Sequence, residues 1–162
     1  MDLILLNGPS SAGKSTIAKR LLARLGTTRE CSLIALDDYM TVGTNEEIWE
    51  DDVFAATERM YADVSQALAE NRLVIVDHVI TSRRIYDALL AAVGPRAFVK
   101  ALVTCSLETL RARERKRGDR YIGSAEASLR FLYPTDGYDV RVDTEKQSAE
   151  EILDANIGAM GP

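Results

Sequence analysis

The sequence predicts a three-layer α/β fold, in which a parallel sheet of about five strands is covered on both faces by helices. Short apolar runs alternate with longer amphipathic stretches along the chain. The runs are apolar throughout, which is typical of parallel strands that are buried on both faces. No internal repeat or linker rich in Pro, Gly or Ser interrupts the alternation. We therefore expect residues 1–162 to form a single domain.

Five apolar runs are the predicted strands. They cover residues 3–7, 33–36, 73–76, 97–104 and 138–142. Ligands of a parallel sheet bind beyond the carboxyl ends of its strands. The polar residues that directly follow these runs are therefore the candidate site residues.

The amphipathic stretches between the strands are the predicted helices. They cover residues 15–25, 53–70, 82–93 and 106–117, and a last helix begins after residue 148. Gly26, Gly94 and Gly118 stand where three of them end, a position that glycine favours. Ser148 and Glu151 have the spacing of a capping box at the start of the last helix.

The composition favours a cytoplasmic protein that binds neither membranes nor nucleic acids. Its net charge is −5, which argues against general nucleic-acid binding, and it has 46% hydrophobic and 28% charged residues. Cys31 and Cys105 lie far apart with no CxxC partner, so a disulfide framework and a cysteine zinc site are not expected. No basic region precedes the first apolar run, and no run approaches the ~20 residues of a membrane span. Oligomeric state is not readable from these features.

A basic segment at residues 111–120 stands out against the acidic remainder. It carries six basic and two acidic side chains. Such a segment is either a solvated helix face or the binding surface for an anionic ligand.

The loop after the first strand matches the phosphate-binding pattern GxxxxGK[ST], in the strand–loop–helix setting that this pattern requires. Backbone N–H groups of such a loop surround a phosphate, and the following helix adds its positive dipole end. The alternative is a glycine-rich turn that only caps a helix. The predicted ATP-binding residues are Gly8, Pro9, Ser10, Ser11, Ala12, Gly13, Lys14, Ser15 and Thr16.

Ser15 and Asp77 are the predicted Mg²⁺ ligands. A hydroxyl in the Ser15 position binds the Mg²⁺ that accompanies a nucleotide. Asp77 ends the third apolar run, which is where such proteins place a carboxylate beside the phosphate loop. The alternative for Asp77 is a residue that caps the next turn.

Phosphoryl transfer to a hydroxyl needs a base and additional positive charge. Asp37 follows the second predicted strand, where a carboxylate faces the γ-phosphate and can accept the acceptor's proton; Asp38 is the competing candidate. Lys14 reaches the β- and γ-phosphates. Because guanidinium groups suit phosphoryl oxygens, we interpret about 111–130 as a basic helical lid.

These features together resemble the chloramphenicol phosphotransferase family, a member of the nucleoside-monophosphate-kinase-like group of P-loop proteins. The resemblance runs from residue 3 to about residue 155. It rests on Asn7-Gly-Pro-Ser-Ser-Ala-Gly-Lys-Ser15, Asp37, Asp77, Arg113 with Arg117-Gly-Asp-Arg120, and Tyr138-Asp-Val-Arg-Val-Asp-Thr144. It implies a P-loop kinase fold and transfer of phosphate from ATP to a hydroxyl of a small molecule.

The resemblance also assigns roles. It makes Asp37 the base, and Arg113, Arg117 and Arg120 the catalytic lid arginines, whereas Arg111 and Arg115 have no counterpart.

The sequence departs from the family pattern in the region that would bind the acceptor. Only 39 residues separate Asp37 from Asp77, whereas the chloramphenicol-modifying members have a longer, Gly-rich stretch there. His78 replaces an acid of the family, either as a packing residue or as part of the site. The apolar residues of the stretch either line the acceptor cleft or belong to the core; they are Tyr39, Met40, Trp49, Phe54 and Tyr61. We expect chloramphenicol itself to be a poor acceptor.

Three functions remain open at this point. The first is a small-molecule O-phosphotransferase. The second is a kinase of a nucleoside, a sugar or a nucleotide-sugar on the same frame. The third is a nucleotide-binding switch or NTPase, which needs no acceptor base and is therefore less consistent with Asp37.

Overall fold

The computed structural model describes residues 1–40 and 49–161. Its strands are β1 (Leu3–Asn7), β2 (Cys31–Ala35), β3 (Leu73–His78), β4 (Phe98–Thr104) and β5 (Val140–Asp143). Its helices are α1 (Lys14–Leu25), α2 (Glu50–Ala69), α3 (Arg83–Val93), α4 (Leu107–Arg117), α5 (Ser124–Arg130) and α6 (Ala149–Ala159), with a 3₁₀ turn at Leu36–Asp38. Within these ranges, no helix combines the length and the apolar character that crossing a bilayer requires.

The five strands form one parallel sheet in the order β2-β3-β1-β4-β5. Side chains of β1 alternate between two hydrophobic clusters. Leu3 and Leu5 pack with α2 and α3, while Ile4 and Leu6 pack with α1, α4 and α6 on the opposite face. The predicted three-layer α/β fold is therefore confirmed.

The order of the strands brings the carboxyl ends of β1, β2 and β3 together. Asp77 is in register with Leu6 of β1 on one side and with Ala35 of β2 on the other. Residues that follow these three strands consequently share one edge of the sheet. This edge carries the phosphate loop, the turn with Asp37, and Asp77.

Serine side chains start three of the helices. Ser82 Oγ accepts a hydrogen bond from the Ile85 N–H, and Ser106 Oγ accepts one from the Thr109 N–H. At α6 both hydrogen bonds of the predicted capping box between Ser148 and Glu151 are present. Such caps satisfy N–H groups that have no partner within the helix.

The structure differs from the predicted elements at two places that concern the site. β2 ends at Ala35, so Asp37 lies in the 3₁₀ turn beyond the strand and not directly after it. Helix α5 was not predicted as a separate element, because its seven residues are too few to show a helical period.

The phosphate loop leaves β1 in direct contact with the backbone of β4. A Cβ atom on Gly8 would lie 2.0 Å from the Val103 carbonyl oxygen, so this position excludes every side chain. At the other end of the loop, Gly13 has φ +97°, a conformation that favours glycine.

We expect Gly8→Ala to lower the free energy of unfolding by about 2 kcal/mol or more, because two rigid backbone segments must separate to admit one methyl group. Gly158→Ala is the matched control, since no atom lies within 4 Å of the added Cβ in α6. That change should leave stability equal or higher by up to ~1 kcal/mol. Urea unfolding monitored by circular dichroism measures both. Equal midpoints for the two variants would contradict the close contact at Gly8.

Candidate active site

A cleft of about 810 Å³ opens at the carboxyl edge of the sheet. The predicted catalytic and metal-binding residues all line it: Lys14, Ser15, Asp37, Asp77, Arg113, Arg117 and Arg120. Six of the predicted ATP-binding residues line it too: Ser10, Ser11, Gly13, Lys14, Ser15 and Thr16. The other three, Gly8, Pro9 and Ala12, are not among the described residues that line the cleft. The fold thus brings the other predicted site residues into one cleft.

Lys14 places a buried positive charge at the base of the loop. Lys14 is only 6% exposed, and its Nζ donates a hydrogen bond to the Pro9 carbonyl oxygen at 2.8 Å. Burial lowers the pKa of Lys14, and the negative charges of Asp77 and Asp37 oppose that shift. An anion in the loop would satisfy the remaining donors of the ammonium group.

A further polar group of the loop points to the same ligand. Ser11 has φ +66°, and its Oγ is buried without a hydrogen-bond partner among the described residues. Buried polar groups of native proteins are nearly always paired, so an isolated hydroxyl in this loop fits a site that holds phosphate oxygens.

Ser15 and Asp77 form a pair of oxygen ligands beside the loop. Ser15 Oγ, in the first turn of α1, donates to Asp77 Oδ2 at 2.7 Å. Among the described residues, no group of three or more His, Cys, Asp or Glu side chains could hold a metal. Mg²⁺ is commonly held by one or two protein oxygens together with phosphate oxygens and water. The pair therefore fits a Mg²⁺ ion that accompanies a nucleotide.

Asp37 is paired with two arginines of the segment that was predicted to form the lid. Arg120 Nη2 donates to Asp37 Oδ2, and Arg117 Nη2 lies 3.4 Å from the same oxygen. Burial raises the pKa of Asp37, but the hydrogen bond and charge of Arg120, with those of Arg117, outweigh it and hold the pKa below its ordinary value. Asp37 and Asp38 are both exposed, and of the two only Asp37 is among the described residues that line the cleft.

Arg113 differs from the other two arginines with which the prediction grouped it. Its Nη1 donates to Thr144 Oγ1 at 2.9 Å and to the Ala12 carbonyl oxygen at 3.2 Å. Thr144 Oγ1 in turn donates to the Ala12 oxygen at 2.8 Å. Arg113 thus stabilises the backbone of the phosphate loop, whereas Arg117 and Arg120 contact Asp37.

Glu114 and Ser128 are two site residues that sequence reasoning missed. Glu114 is 1% exposed, and its carboxylate accepts from the backbone N–H groups of Gly123 at 2.9 Å and Ala125 at 2.8 Å. Ser128 Oγ accepts from the Ser10 N–H at 2.9 Å. Helix α5 is therefore attached to α4 at one end and to the phosphate loop further along. An acid within a strongly basic helix was the signal for Glu114, but the surrounding arginines made it resemble a surface pair.

Asn7, at the end of β1, forms hydrogen bonds with three residues that are distant in the sequence. It is fully buried, and its Nδ2 donates to the Tyr133 carbonyl oxygen at 2.9 Å and to Tyr138 Oη at 2.7 Å. Its Oδ1 accepts from the Ile80 N–H at 3.0 Å. This geometry explains why an amide side chain precedes the phosphate loop.

Apolar side chains form part of the lining of the cleft, and we call this part the apolar wall. It contains Met40, Trp49, Val53, Tyr121 and Phe131. Trp49 is 67% exposed and Phe131 is 59% exposed, which is unusual for large apolar side chains.

Only two of the five apolar residues proposed from the sequence, Met40 and Trp49, lie on this wall. Tyr61 is buried in the core, Phe54 packs under Arg84, and Tyr39 donates to Asp63.

His78 lies at the end of β3, fully buried, and also lines the cleft. Its Nε2 is 2.8 Å from Tyr61 Oη, which also lies 3.2 Å from the Ile85 carbonyl oxygen. Burial lowers the pKa of His78 to about 3, so the imidazole is neutral at physiological pH.

A parallel sheet with β1 between β3 and β4, and a phosphate loop leading from β1 into α1, is the fold of P-loop kinases. Within that class, the model of the chloramphenicol phosphotransferase-like proteins matches residues 1–157. The chain belongs to that family, as its motifs predicted. A comparison with curated proteins gives no match.

Solved structures of P-loop kinases share the fold over nearly the whole chain. An APS kinase of Mycobacterium tuberculosis in complex with AMPPNP and APS has a TM-score of 0.79 at 14% identity, covering 99% of this chain and 98% of its own. An unliganded sugar kinase of Janibacter sp. HTCC2649 has a TM-score of 0.76 at 15% identity, covering 99% of this chain and 94% of its own. A gluconokinase of Sinorhizobium meliloti 1021 has a TM-score of 0.69 at 21% identity, covering 98% of this chain and 91% of its own. At these identities the likeness shows the fold alone.

We expect Glu114→Gln to lower the free energy of unfolding by roughly 1–3 kcal/mol, because the introduced amide group would face a backbone N–H that then has no acceptor. Hydrogen exchange of residues 118–125 should accelerate in the same variant. Glu126→Gln is the matched control, since Glu126 is half exposed and pairs only with Arg111 on the surface. Equal effects of the two substitutions would show that the buried carboxylate does not hold α5.

Proposed function

We propose that the protein transfers the γ-phosphate of ATP to a hydroxyl of a small molecule. The observation that carries this proposal is the position of Asp37, an ionised carboxylate on the same cleft as the phosphate loop. A switch or a plain NTPase needs no base for an acceptor hydroxyl. The family to which the chain belongs supports the same reaction class.

In this proposal the phosphate loop and Lys14 bind the triphosphate, with Ser15 and Asp77 as the ligands of Mg²⁺. The nucleotide and its metal supply the phosphoryl group and neutralise part of its charge. Lys14 adds a positive charge that is buried and therefore acts with little screening. The full set of residues proposed to bind ATP is the one predicted from the sequence, residues 8–16.

Asp37 is the proposed general base. Its Oδ2 takes the proton of the acceptor hydroxyl as that oxygen bonds to phosphorus. Arg117 and Arg120 share this oxygen with the acceptor. Arg117 Nε donates to Asp119 at 3.1 Å, and other N–H groups of the two guanidinium groups would bind phosphoryl oxygens. Arg113 supports the reaction by fixing the loop backbone. Residues of about 111–130 act together as the lid of a single kinase domain.

The apolar wall indicates the body of the acceptor. Trp49 and Phe131 expose large ring surfaces to the cleft, which an uncharged, partly apolar alcohol would cover. Of the stretch between Asp37 and Asp77, residues 41–48 lie outside the described residues. Its shortness still argues for an acceptor other than chloramphenicol.

We expect Asp37→Asn to reduce phosphate transfer by about 10²–10⁴-fold, since the amide keeps the shape but cannot take a proton. The dissociation constant of a non-hydrolysable ATP analogue should stay near its wild-type value. Asp38→Asn makes the same chemical change on a neighbour that is not among the cleft-lining residues, and it should transfer at close to the wild-type rate. Steady-state kinetics and equilibrium binding measure the three proteins. The reverse ranking of the two variants would assign the base to Asp38.

The acceptor is tested by following ADP release and product mass with a panel of alcohols. The panel contains chloramphenicol, other hydroxylated antibiotics, nucleosides and sugars. We expect turnover on an uncharged alcohol with an apolar body, and slow turnover on chloramphenicol, because a hydroxyl misplaced by ~1 Å costs on the order of 10²-fold in rate. A kcat/KM above ~10⁴ M⁻¹s⁻¹ on chloramphenicol would show that the short segment is sufficient. ATP hydrolysis without any phosphorylated product would favour the switch.

A further inference from the structure

Asn7 is part of a closed ring of three hydrogen bonds. Its Oδ1 accepts from the Ile80 N–H at 3.0 Å, and its Nδ2 donates to the Tyr133 carbonyl oxygen at 2.9 Å. The Tyr133 N–H in turn donates to the Ile80 carbonyl oxygen at 2.9 Å. Each of the three residues is therefore hydrogen-bonded to the other two, although they come from three separate parts of the chain.

The amide group of Asn7 is the chemical group that this arrangement requires. Its second N–H donates to Tyr138 Oη at 2.7 Å, and that hydroxyl donates to the Pro134 carbonyl oxygen at 2.9 Å. Both N–H groups and the oxygen of this buried side chain thus have partners within the protein. A carboxylate would lack both donors, and a hydroxyl has only one. Because both hydrogens are already donated, the amide acts on the protein and not on a ligand.

The two segments that this ring joins, 79–81 and 131–134, contribute to the cleft. Its lining includes Val79, Thr81 and Phe131. Both segments lie outside the helices and strands, so their positions are not fixed by a regular backbone ladder. The hydrogen bonds of the ring supply that constraint instead.

The order of the strands places the first of these segments between the two groups that the proposed reaction uses. In the sheet, β3 lies between β1 and β2. Segment 79–81 follows β3, the phosphate loop follows β1, and the turn with Asp37 follows β2. The segment therefore leaves the sheet edge between the loop and Asp37. An acceptor hydroxyl that lies between the γ-phosphate and Asp37 would bring the acceptor close to this segment.

Asn7 is itself fixed relative to the phosphate loop. It directly precedes Gly8, whose backbone lies against the Val103 carbonyl oxygen of β4. As the last residue of β1, it is also in register with His78 of β3. A side chain anchored this closely to the loop determines how far the loop lies from both segments of the ring.

We propose that Asn7 is a positioning residue that acts through Ile80 and Tyr133 to hold the acceptor at the correct distance from the phosphate loop. This inference rests on the proposed phosphotransfer function. Asn7 touches neither substrate and takes part in no bond that forms or breaks. It fixes two parts of the lining of the cleft, and a hydroxyl misplaced by ~1 Å costs on the order of 10²-fold in rate.

The test compares two fully buried asparagines. Asn7→Ala removes the amide of the ring. Asn156→Ala is the matched control, because the Asn156 amide donates to the Ile152 carbonyl oxygen within α6 and is not among the described groups that line the cleft. The probe is the alcohol of the panel with the highest kcat/KM on the wild-type protein. Turnover is expressed per nucleotide-binding site, titrated with a non-hydrolysable ATP analogue, so that unfolded protein does not lower the measured kcat.

We expect Asn7→Ala to lower kcat per nucleotide-binding site by about 10- to 100-fold and to raise the KM for the acceptor. The dissociation constant of the ATP analogue should stay close to its wild-type value, because the Gly8 contact and Lys14 remain in place. Asn156→Ala should lower the midpoint of urea unfolding and leave kcat per site unchanged. Tyr138→Phe removes one partner of Asn7 but keeps the ring, so it should lower kcat by a smaller factor.

Three outcomes would overturn the inference. If the two asparagine variants keep the wild-type kcat per site, or lose it equally, Asn7 only supports the fold. If affinity for the ATP analogue falls as much as kcat, the amide acts on the phosphate loop and not on the acceptor. If Asn7→Ala shows no cooperative unfolding transition, Tyr138→Phe decides, and a wild-type kcat in that variant overturns the inference. Absence of any phosphorylated product with the wild-type protein would instead refute the proposed function itself.

Discussion

The shape of the phosphate loop depends on hydrogen bonds from residues far away in the sequence. Arg113 and Thr144 donate to the Ala12 carbonyl oxygen, and Ser128 accepts from the Ser10 N–H. Gly8 meets the β4 backbone so closely that no other residue fits. With these groups fixed from outside, the inner side of the loop remains available to an anion, and the buried charge of Lys14 favours one. The loop is thus organised before any nucleotide binds, which reduces the cost of binding.

Related contacts connect the loop to residues 111–130, the proposed lid. The buried Glu114 holds the start of α5, and Ser128 further along α5 holds the loop. Beyond this junction, Arg117 and Arg120 reach across the cleft to Asp37. Ion pairs with a partly exposed carboxylate are weak, so a triphosphate can compete for these arginines. The proposed lid would thus combine a rigid attachment near the loop with an exchangeable contact at Arg117 and Arg120.

The apolar wall and the phosphate loop offer different interactions to a ligand. The exposed rings of Trp49 and Phe131 offer apolar surface, whereas Lys14, Arg117 and Arg120 provide positive charge on the same cleft. In the proposed reaction, one cleft would bind a highly charged donor and an uncharged acceptor next to each other, with Asp37 as the proton acceptor.

The sequence by itself determined the order of strands and helices, the phosphate loop and the carboxylate after β3. These features are local, because periodicity and motif spacing are properties of neighbouring residues. Tertiary structure alone separated Arg113, which contacts the phosphate loop, from the two arginines at Asp37. It also decided that α5 is a helix and that Glu114 is buried, since contacts with distant residues replace the water that would otherwise solvate these charged groups. Roles that depend on such contacts cannot be read from a side chain's neighbours along the chain.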